Sequence, residues 1–335
     1  MTCRERVHTI LRHEQPDICP WSIGFTQGAL KSLIDYTGDE QIVDKLGNHT
    51  AGYHPSMPNA WVEVAPGIMR DEFGVTWDRS HGHKDIGNPD GKIFPEPRLG
   101  DYVFPDPADP ARWEVFEAQM AEPTDKFRIM DIGFSLFERA WTMRGMENLL
   151  MDMIIHPEFV DELLERITEF NLVLVRRSVK YDIDAVGFGD DWGQQLGMIM
   201  GPKLWRRFIK PHLARMYGAA HEGGKYVFIH SCGKVDEVFP DLIEIGLNCF
   251  NPFQPEVMDV YEMKRLYGDR LSFNGGVSTQ KTLPYGTPAE VTAEVQRLIK
   301  EIGKNGGYIC APAHAIPGDA KPENMVALLE AVHNQ

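Results

Sequence analysis

A histidine and a cysteine lie two residues apart at the end of an apolar run, in Lys225-Tyr-Val-Phe-Ile-His-Ser-Cys-Gly233. The run at 226–229 is typical of a strand buried on both faces of a parallel sheet. Side chains two apart on a strand point to the same side, so His230 and Cys232 are expected to emerge together. Zinc prefers nitrogen and thiolate ligands, so the pair predicts a metal site. A packed cysteine beside a hydrogen-bonded histidine is the simpler alternative.

Two residues near the end of the chain could complete such a site. Cys310 and His314 lie four residues apart, which is ~13 Å along a strand, so both can hardly reach one ion. Cys310 belongs to the apolar run at 308–311, where a cysteine usually packs as a small hydrophobe. His314 follows Pro312 and is therefore expected beyond the end of its strand, at the same level of the sheet as His230 and Cys232. We therefore favour His314 as a metal ligand, with Cys310, or no third metal ligand, as the alternatives.

Short apolar strands alternate with periodic helices from residue 127 onward, and this alternation predicts a parallel α/β fold. A single (β/α)8 TIM barrel over residues 1–335, with an irregular elaboration at 40–125, best accounts for this alternation. A first strand is expected at 18–25, and an eighth strand would be hidden within 50–125. The remaining strands are predicted at 128–134, 185–189, 226–230, 248–253, 271–275 and 307–311, and the main helices at 137–152, 157–180, 203–222, 235–246, 258–267, 288–303 and 321–333.

In a barrel of this kind the active site lies at the carboxyl ends of the strands. Polar residues follow almost every predicted strand, and Asp190 and Asp191 are the acidic ones. We expect them to act as acid/base or cation-binding groups, although one could instead cap the next helix or accept hydrogen bonds from loop N–H groups. Asn251 and Gln254 lie at the end of the predicted strand 248–253, two strands further along the chain, and are also candidate catalytic residues. Gln254 could be a weak fourth ligand, a substrate contact or a loop-stabilising amide.

The remaining candidates are less specific. Gly275 and Gly276 are adjacent glycines that could let the backbone approach a cofactor closely, although a plain turn explains them nearly as well. Asp71 is most simply a surface charge, with a position facing the cleft as the alternative.

Composition excludes several classes of protein. The chain has 335 residues, 43% hydrophobic and 25% charged, which is typical of a soluble globular protein. A net charge of −15 argues against a nucleic-acid or anionic-membrane surface. The first residues lack the apolar core of a secretory signal, and five cysteines without CxxC spacing fit reduced thiols. We therefore expect a cytoplasmic protein with no nucleic-acid or membrane partner.

These motifs together resemble the uroporphyrinogen decarboxylase superfamily. The similarity spans nearly the whole chain and implies a (β/α)8 barrel. It rests on Arg4-Glu-Arg-Val7, Leu11-Arg-His-Glu-Gln-Pro-Asp17, Asp71-Glu-Phe-Gly-Val-Thr-Trp77, Gly189-Asp-Asp-Trp-Gly193, His230-Ser-Cys-Gly233, Pro240-Asp-Leu-Ile-Glu-Ile-Gly246, Asn251-Pro-Phe-Gln-Pro255, Gly275-Gly276 and Ala311-Pro-Ala-His-Ala315.

Two chemistries occur in that superfamily. Its decarboxylases are metal-free and grip a porphyrinogen with an Arg-rich motif after the first strand, where this chain has Ser22-Ile-Gly-Phe-Thr-Gln-Gly28 without arginine. Its methylcobamide:thiol (coenzyme M-type) methyltransferases share the His-x-Cys pair matched by His230 and Cys232. Their third zinc ligand is a cysteine at the place of His314. The decarboxylases also carry a histidine there, so only the His-x-Cys pair discriminates.

The resemblance implies a zinc-dependent methyltransferase that moves a methyl group between a methylated corrinoid (methylcobamide) and a thiol or similar acceptor. The implied cofactors are zinc and a corrinoid, the latter as substrate or co-substrate. The implied partners are a corrinoid carrier protein and a small-molecule methyl acceptor. Uroporphyrinogen decarboxylase is the alternative activity, and a non-enzymatic corrinoid- or tetrapyrrole-binding protein is a third possibility. Monomer and homodimer both stay open.

Overall fold

The computed structural model describes residues 1–80 and 87–335, and the predicted elaboration therefore lies within the described residues except for 81–86. The strands of the described part are β1 (Thr50–Tyr53), β2 (Trp61–Ala65), β3 (Ile68–Asp71), β4 (Thr76–Asp78), β5 (Asn88–Asp90), β6 (Phe127–Ile132), β7 (Ala185–Gly189), β8 (Tyr226–His230), β9 (Cys249–Phe253), β10 (Ser272–Val277) and β11 (Tyr308–Pro312).

The helices surround these strands and alternate with them after residue 110. Their bounds are α1 (Cys3–Leu11), α2 (Gln27–Thr37), α3 (Pro110–Ala121), α4 (Phe137–Arg144), α5 (Met146–Ile155), α6 (Pro157–Ser178), α7 (Gly201–Phe208), α8 (Lys210–Glu222), α9 (Phe239–Glu244), α10 (Val260–Tyr267), α11 (Thr282–Tyr285), α12 (Pro288–Glu301) and α13 (Pro322–His333). None of the helices in the described ranges is long and apolar enough to cross a membrane.

The main sheet of the described residues is parallel and runs in the order β1-β6-β7-β8-β9-β10-β11. The α/β class is thereby confirmed, with seven strands in the described sheet where eight were predicted. The strand expected within 50–125 is β1. The strand expected at 18–25 is present only as isolated bridges, from Trp21 to Cys310 and from Phe25 to Ile316.

The segment around Trp21 nevertheless links the two edges of this sheet. On the β11 side, Ser22 N donates to Cys310 O at 3.1 Å and Cys310 N donates to Pro20 O at 2.8 Å. On the β1 side, His49 N donates to Trp21 O at 2.9 Å. The sheet therefore curls until its first and last strands are bridged by one extended segment.

Apolar side chains fill the amino-terminal end of the curled sheet. Helix α1 begins with a capping box in which Thr2 and Glu5 satisfy each other's backbone N–H groups. Its buried face supplies apolar residues to a cluster with inward-facing strand residues. That cluster consists of Val7, Ile10, Leu11, Phe127, Ile129, Ala185, Phe228, Cys249 and Ile309. Because this end is packed shut, the carboxyl ends of the strands are the side where polar groups can collect.

A small antiparallel sheet, in the order β2-β3-β4-β5, forms part of the predicted elaboration. Its four strands all lie within residues 61–90. Asp71 at the end of β3 is not the surface charge that was expected. It is buried and accepts a hydrogen bond from Arg139 Nη1 of α4 at 2.6 Å, which joins the small sheet to the main fold.

Two helices predicted as continuous are broken in the structure. The predicted helix 137–152 is divided into α4 and α5 at Gly145, whose φ of 87° lies outside the range of a right-handed helix. The predicted helix 203–222 is divided into α7 and α8 at Ile209, ahead of Pro211. Proline fits the first turn of α8 but would remove a hydrogen bond from a continuous helix.

Candidate metal centre

The loop after β8 is held in place from both neighbouring strand ends. Ser231 N donates to Asn251 O at 2.7 Å, and Gly193 N donates to Cys232 O at 3.1 Å. Gly233 has a φ of 86°, and a Cβ there would lie 2.3 Å from the carbonyl carbon of Gly193. The loop can therefore pass this close to the β7 loop only with glycine at 233.

Three candidate ligands converge at this loop. One ligand atom each from His230, Cys232 and His314 lies within 4.8 Å of the other two. Cys232 Sγ is 3.4 Å from His230 Nε2, and the two imidazole rings meet edge to face with centroids 5.5 Å apart. Ligand atoms of one tetrahedral zinc ion are roughly 3.5 Å apart, given bonds of about 2.0–2.3 Å. The donor set and its spacing therefore fit zinc after small side-chain rotations.

Asn251 fixes which nitrogen of His230 faces the cluster. Asn251 Nδ2 donates to Asn274 O at 3.0 Å, so its amide oxygen points towards His230 Nδ1, at 2.6 Å. An amide oxygen only accepts, so Nδ1 carries the proton. Nε2 is then the nitrogen with a free lone pair, and it is the one beside Cys232. A histidine ligand held through its second nitrogen is the usual arrangement at metal sites.

The two aspartates after β7 have different surroundings. Asp190 is fully buried and accepts hydrogen bonds from Leu136 N at 3.2 Å and Glu138 N at 2.8 Å, so it holds the backbone at the start of α4, a helix that precedes β7 in the chain. Burial raises the pKa of Asp190 to about 6. Asp191 faces the cluster: its Oδ1 accepts from Cys232 N at 2.8 Å and lies 3.9 Å from His230 Nε2.

Glu138, in the first turn of α4, is a site residue that the sequence reasoning missed. Burial and the negative charges of Asp191 and Asp190 raise the pKa of Glu138 to about 9. Burial, with Asp191 and Glu138 nearby, also raises the pKa of the Cys232 thiol far above its usual range. Glu138 lies within the predicted helix 137–152, and no separate role was predicted for it. Its place just after the strand end at Gly133 was the signal that could have found it.

The other candidates are placed away from the ligand atoms. Cys310 is fully buried, burial raises its pKa to about 12, and it does not belong to the metal-capable group found among the described residues. Gln254 accepts from Gly233 N at 2.6 Å and so stabilises the loop. Within β10, a Cβ on Gly275 would lie 2.5 Å from Phe253 N and one on Gly276 would lie 2.8 Å from the Tyr308 hydroxyl. The space beside this glycine pair is filled by the protein itself.

Partial burial, with His230 nearby, lowers the pKa of His314. This favours the neutral imidazole, which is the form that binds a metal.

A curled parallel sheet with a polar cluster at its carboxyl ends defines an enzyme-like α/β fold.

The sequence profile of the uroporphyrinogen decarboxylase (URO-D) family matches residues 134–335. The chain therefore belongs to the uroporphyrinogen decarboxylase family, as the motifs predicted.

Known proteins similar to this chain carry two different names. Uroporphyrinogen decarboxylase of Chlorobaculum parvum is 24% identical over 225 residues, 62% of this chain and 60% of that protein. The Pseudomonas fluorescens enzyme is 23% identical over 185 residues, 53% of this chain and 49% of that protein. The chain thus spans about half to three fifths of these relatives. A methyltransferase from Methanosarcina mazei superposes with a TM-score of 0.74 at 18% identity, covering 100% of this chain and 99% of the other, and shares the fold.

Proposed function

We propose that the protein is a zinc-dependent methyltransferase that moves a methyl group between a methylated corrinoid and a thiol. The observation that carries the proposal is the convergence of nitrogen, sulfur and nitrogen donors from His230, Cys232 and His314 within 4.8 Å. The methyltransferase name of the Methanosarcina mazei neighbour supports it.

His230 Nε2, Cys232 Sγ and a ring nitrogen of His314 would hold the ion. An ion held by these three ligands would leave one position for a substrate thiol and would lower the pKa of that thiol towards neutral pH. In the proposed reaction the methyl group would pass from the corrinoid to the substrate sulfur, the cobalt–carbon electron pair would stay on cobalt, and the thiol proton would go to solvent. The corrinoid supplies the methyl chemistry, so the protein positions the thiol and excludes water.

Neighbouring residues would prepare the ligands. Asn251 keeps the lone pair of His230 Nε2 directed at the cluster, and Asp191 holds the backbone of Cys232. Because the pKa of Cys232 is raised in the metal-free protein, zinc would displace a proton from this thiol on binding. Metal affinity is therefore expected to increase with pH.

We also propose that the segment around Trp21 completes a (β/α)8 barrel, with residues 1–335 as one domain that includes the elaboration at 40–125. The hydrogen bonds from this segment to both edges of the sheet support the closure. In that architecture the corrinoid, free or on a carrier protein, would approach the mouth where His314 is exposed.

Uroporphyrinogen decarboxylation is the second candidate, because the curated relatives carry that name. Its substrate bears eight carboxylates, which call for several cationic partners. Arg144 cannot serve, since it is buried and donates to Asp152, Phe94 O and Pro95 O. Arg139 is buried beside Asp71. The segment at 22–28 supplies no arginine.

The test compares the two reactions on protein purified without a polyhistidine tag. We expect zinc-dependent demethylation of a methylated corrinoid in the presence of a thiol, followed by the colour change of the corrinoid. Metal-free protein should show little demethylation, and uroporphyrinogen should yield little coproporphyrinogen. Decarboxylation by metal-free protein at an ordinary enzymatic rate would replace the first candidate with the second.

A further inference from the structure

The inside of the curled sheet changes from closed to open at one level along its strands. Ile129 of β6 and Phe228 of β8 belong to the buried apolar cluster that fills the amino-terminal end. Because side chains alternate along a strand, the next inward residues on these two strands are Asp131 and His230. Both are partly accessible, and Gly52, which lies beside Asp131 on β1, is exposed. The sheet therefore encloses a recess that has the apolar cluster as its floor and His230 in its wall.

Few charges line the wall of this recess. The inward residues just beyond the apolar cluster on β1 and β6–β10 are Gly52, Asp131, Gly187, His230, Asn251 and Asn274. Neither lysine nor arginine is among them. Asp131 is the acid in this wall, and Asp191, whose Oδ1 lies 3.9 Å from His230 Nε2, adds a second carboxylate just past the end of β7. The charges that the protein presents to the recess are therefore negative.

The Asp131 carboxylate is left unpaired by the protein. Within the described residues no N–H or O–H group donates to it, and its oxygens are not among the enclosed, unpartnered atoms. Glycines flank it on both adjacent strands: a Cβ on Gly187 would lie 2.0 Å from Oδ1, and one on Gly52 would lie 2.7 Å from Oδ2. The charge of His54 acts on this carboxylate, but His54 is exposed and its Nδ1 lies 3.1 Å from the backbone oxygen of Asp131. A ligand inside the sheet can therefore reach the carboxylate.

An ionised carboxylate in such a recess favours one class of ligand. Burial raises the pKa of Asp131 to about 6, so the group is mostly ionised at neutral pH. A partly desolvated charge without a partner is unfavourable, and a cationic donor such as an ammonium group removes that cost through a charge-assisted hydrogen bond. An anionic ligand would be repelled by Asp131 and Asp191, and a neutral ligand would leave Asp131 unpaired.

We propose that the recess selects a methyl acceptor that carries a cationic group, with this group at Asp131 and the sulfur at the metal-ligand cluster. Asp131 is then the residue that determines specificity. This inference rests on the proposed function, which places the substrate thiol on an ion held by His230, Cys232 and His314. The backbones of β6 and β8 are ~10 Å apart, and the side chains of Asp131 and His230 point into the same recess. A short aminothiol is the class of acceptor that this arrangement predicts.

Ligand-observed NMR titrations of metal-free protein test the charge preference with three methyl thioethers of similar size, which resemble the methylated product. At neutral pH 2-(methylthio)ethylamine is cationic, 2-(methylthio)ethanol is neutral and (methylthio)acetate is anionic. We expect the cationic compound to bind at least about tenfold more tightly than the neutral one, and the anionic compound to bind most weakly. Asp131→Asn should weaken the cationic compound about tenfold and leave the neutral one unchanged, because it removes a charge and keeps the size of the side chain. Asp35→Asn, at an exposed aspartate paired with Lys31, is the matched control.

Three results overturn the inference: equal binding of the three compounds by wild type, no binding of any of them, or equal binding of the cationic compound by wild type and Asp131→Asn. The comparison on wild type depends on no variant, and a melting curve checks that Asp131→Asn is folded. Neither zinc nor a corrinoid is needed. Selective binding of the cationic thioether without methyl transfer by the zinc-loaded protein would therefore reject the proposed function alone. Methyl transfer to thiols of every charge, without selective binding, would reject this inference alone.

Discussion

The hydrogen bond between Asn251 and His230 gives a quantitative prediction for metal affinity. Replacing Asn251 with leucine keeps a side chain of similar size but removes the oxygen 2.6 Å from His230 Nδ1. The imidazole then loses its fixed tautomer and orientation, so Nε2 is no longer held ready beside Cys232. Loss of such a supporting contact typically costs 10–100-fold in metal affinity. We therefore expect Asn251→Leu to bind zinc about 10–100-fold more weakly, about 1.4–2.7 kcal/mol.

The assay is competition for zinc against a chromophoric chelator at fixed pH. Asn251→Asp should stay within a few-fold of wild type, since a carboxylate also accepts from Nδ1. Asn334→Leu, at the exposed end of α13, is the control for the substitution itself. Melting curves exclude a general loss of structure. The same zinc affinity in wild type and Asn251→Leu would refute the idea that this amide orients a metal ligand.

Three further predictions concern the same end of the sheet. Cys232→Ser should lose most of the bound zinc without unfolding, and atomic absorption showing wild-type metal content would contradict the ligand set. His314→Ala should lower zinc affinity substantially, whereas Cys310→Ala should keep the metal and lose ~1 kcal/mol of unfolding free energy; the reverse pattern would exchange their roles. Burial raises the pKa of Asp131 to about 6, so the folded state holds this proton more tightly than the unfolded state. The stabilisation is present below about pH 4 and is lost as the pH rises through about 6. Asp131→Asn should thus be more stable than wild type at pH 8, by at most about 3 kcal/mol, and not at pH 4; denaturant titrations giving equal gains at both pH values would contradict this.

The strand ends could be predicted from the sequence because their signals are local. An apolar run, its flanking glycines and the residues just after it place His230 and Cys232 at one level, and the parallel order brings His314 to the same edge. The choice between His314 and Cys310 rested on the rise along a strand and on the apolar run around Cys310. Among the described residues, Cys310 lies outside the group of His230, Cys232 and His314.

Residues that depend on long-range packing could not be predicted in this way. Asp71 is buried because Arg139, 68 residues later, donates to it, and a single acidic residue in a turn carries no sign of that. Glu138 lies at the site because its backbone N–H, at the start of α4, donates a hydrogen bond to Asp190. The apolar periodicity of the sequence continues across Gly145, so the pattern alone indicated one helix where the structure has two.

The loop that carries Cys232 has a consequence for how the protein responds to metal. Ser231, Cys232 and Gly233 are each tied by their backbone N–H groups to Asn251 O, Asp191 and Gln254. The loop backbone that carries Cys232 is therefore held by the protein's own hydrogen bonds, unlike the ligand loops of small zinc domains that fold only around their metal. Metal uptake should involve little ordering of the chain, and a chelator should empty the site and leave a protein that refills without refolding. Stability and metal content are thus separate properties of this molecule.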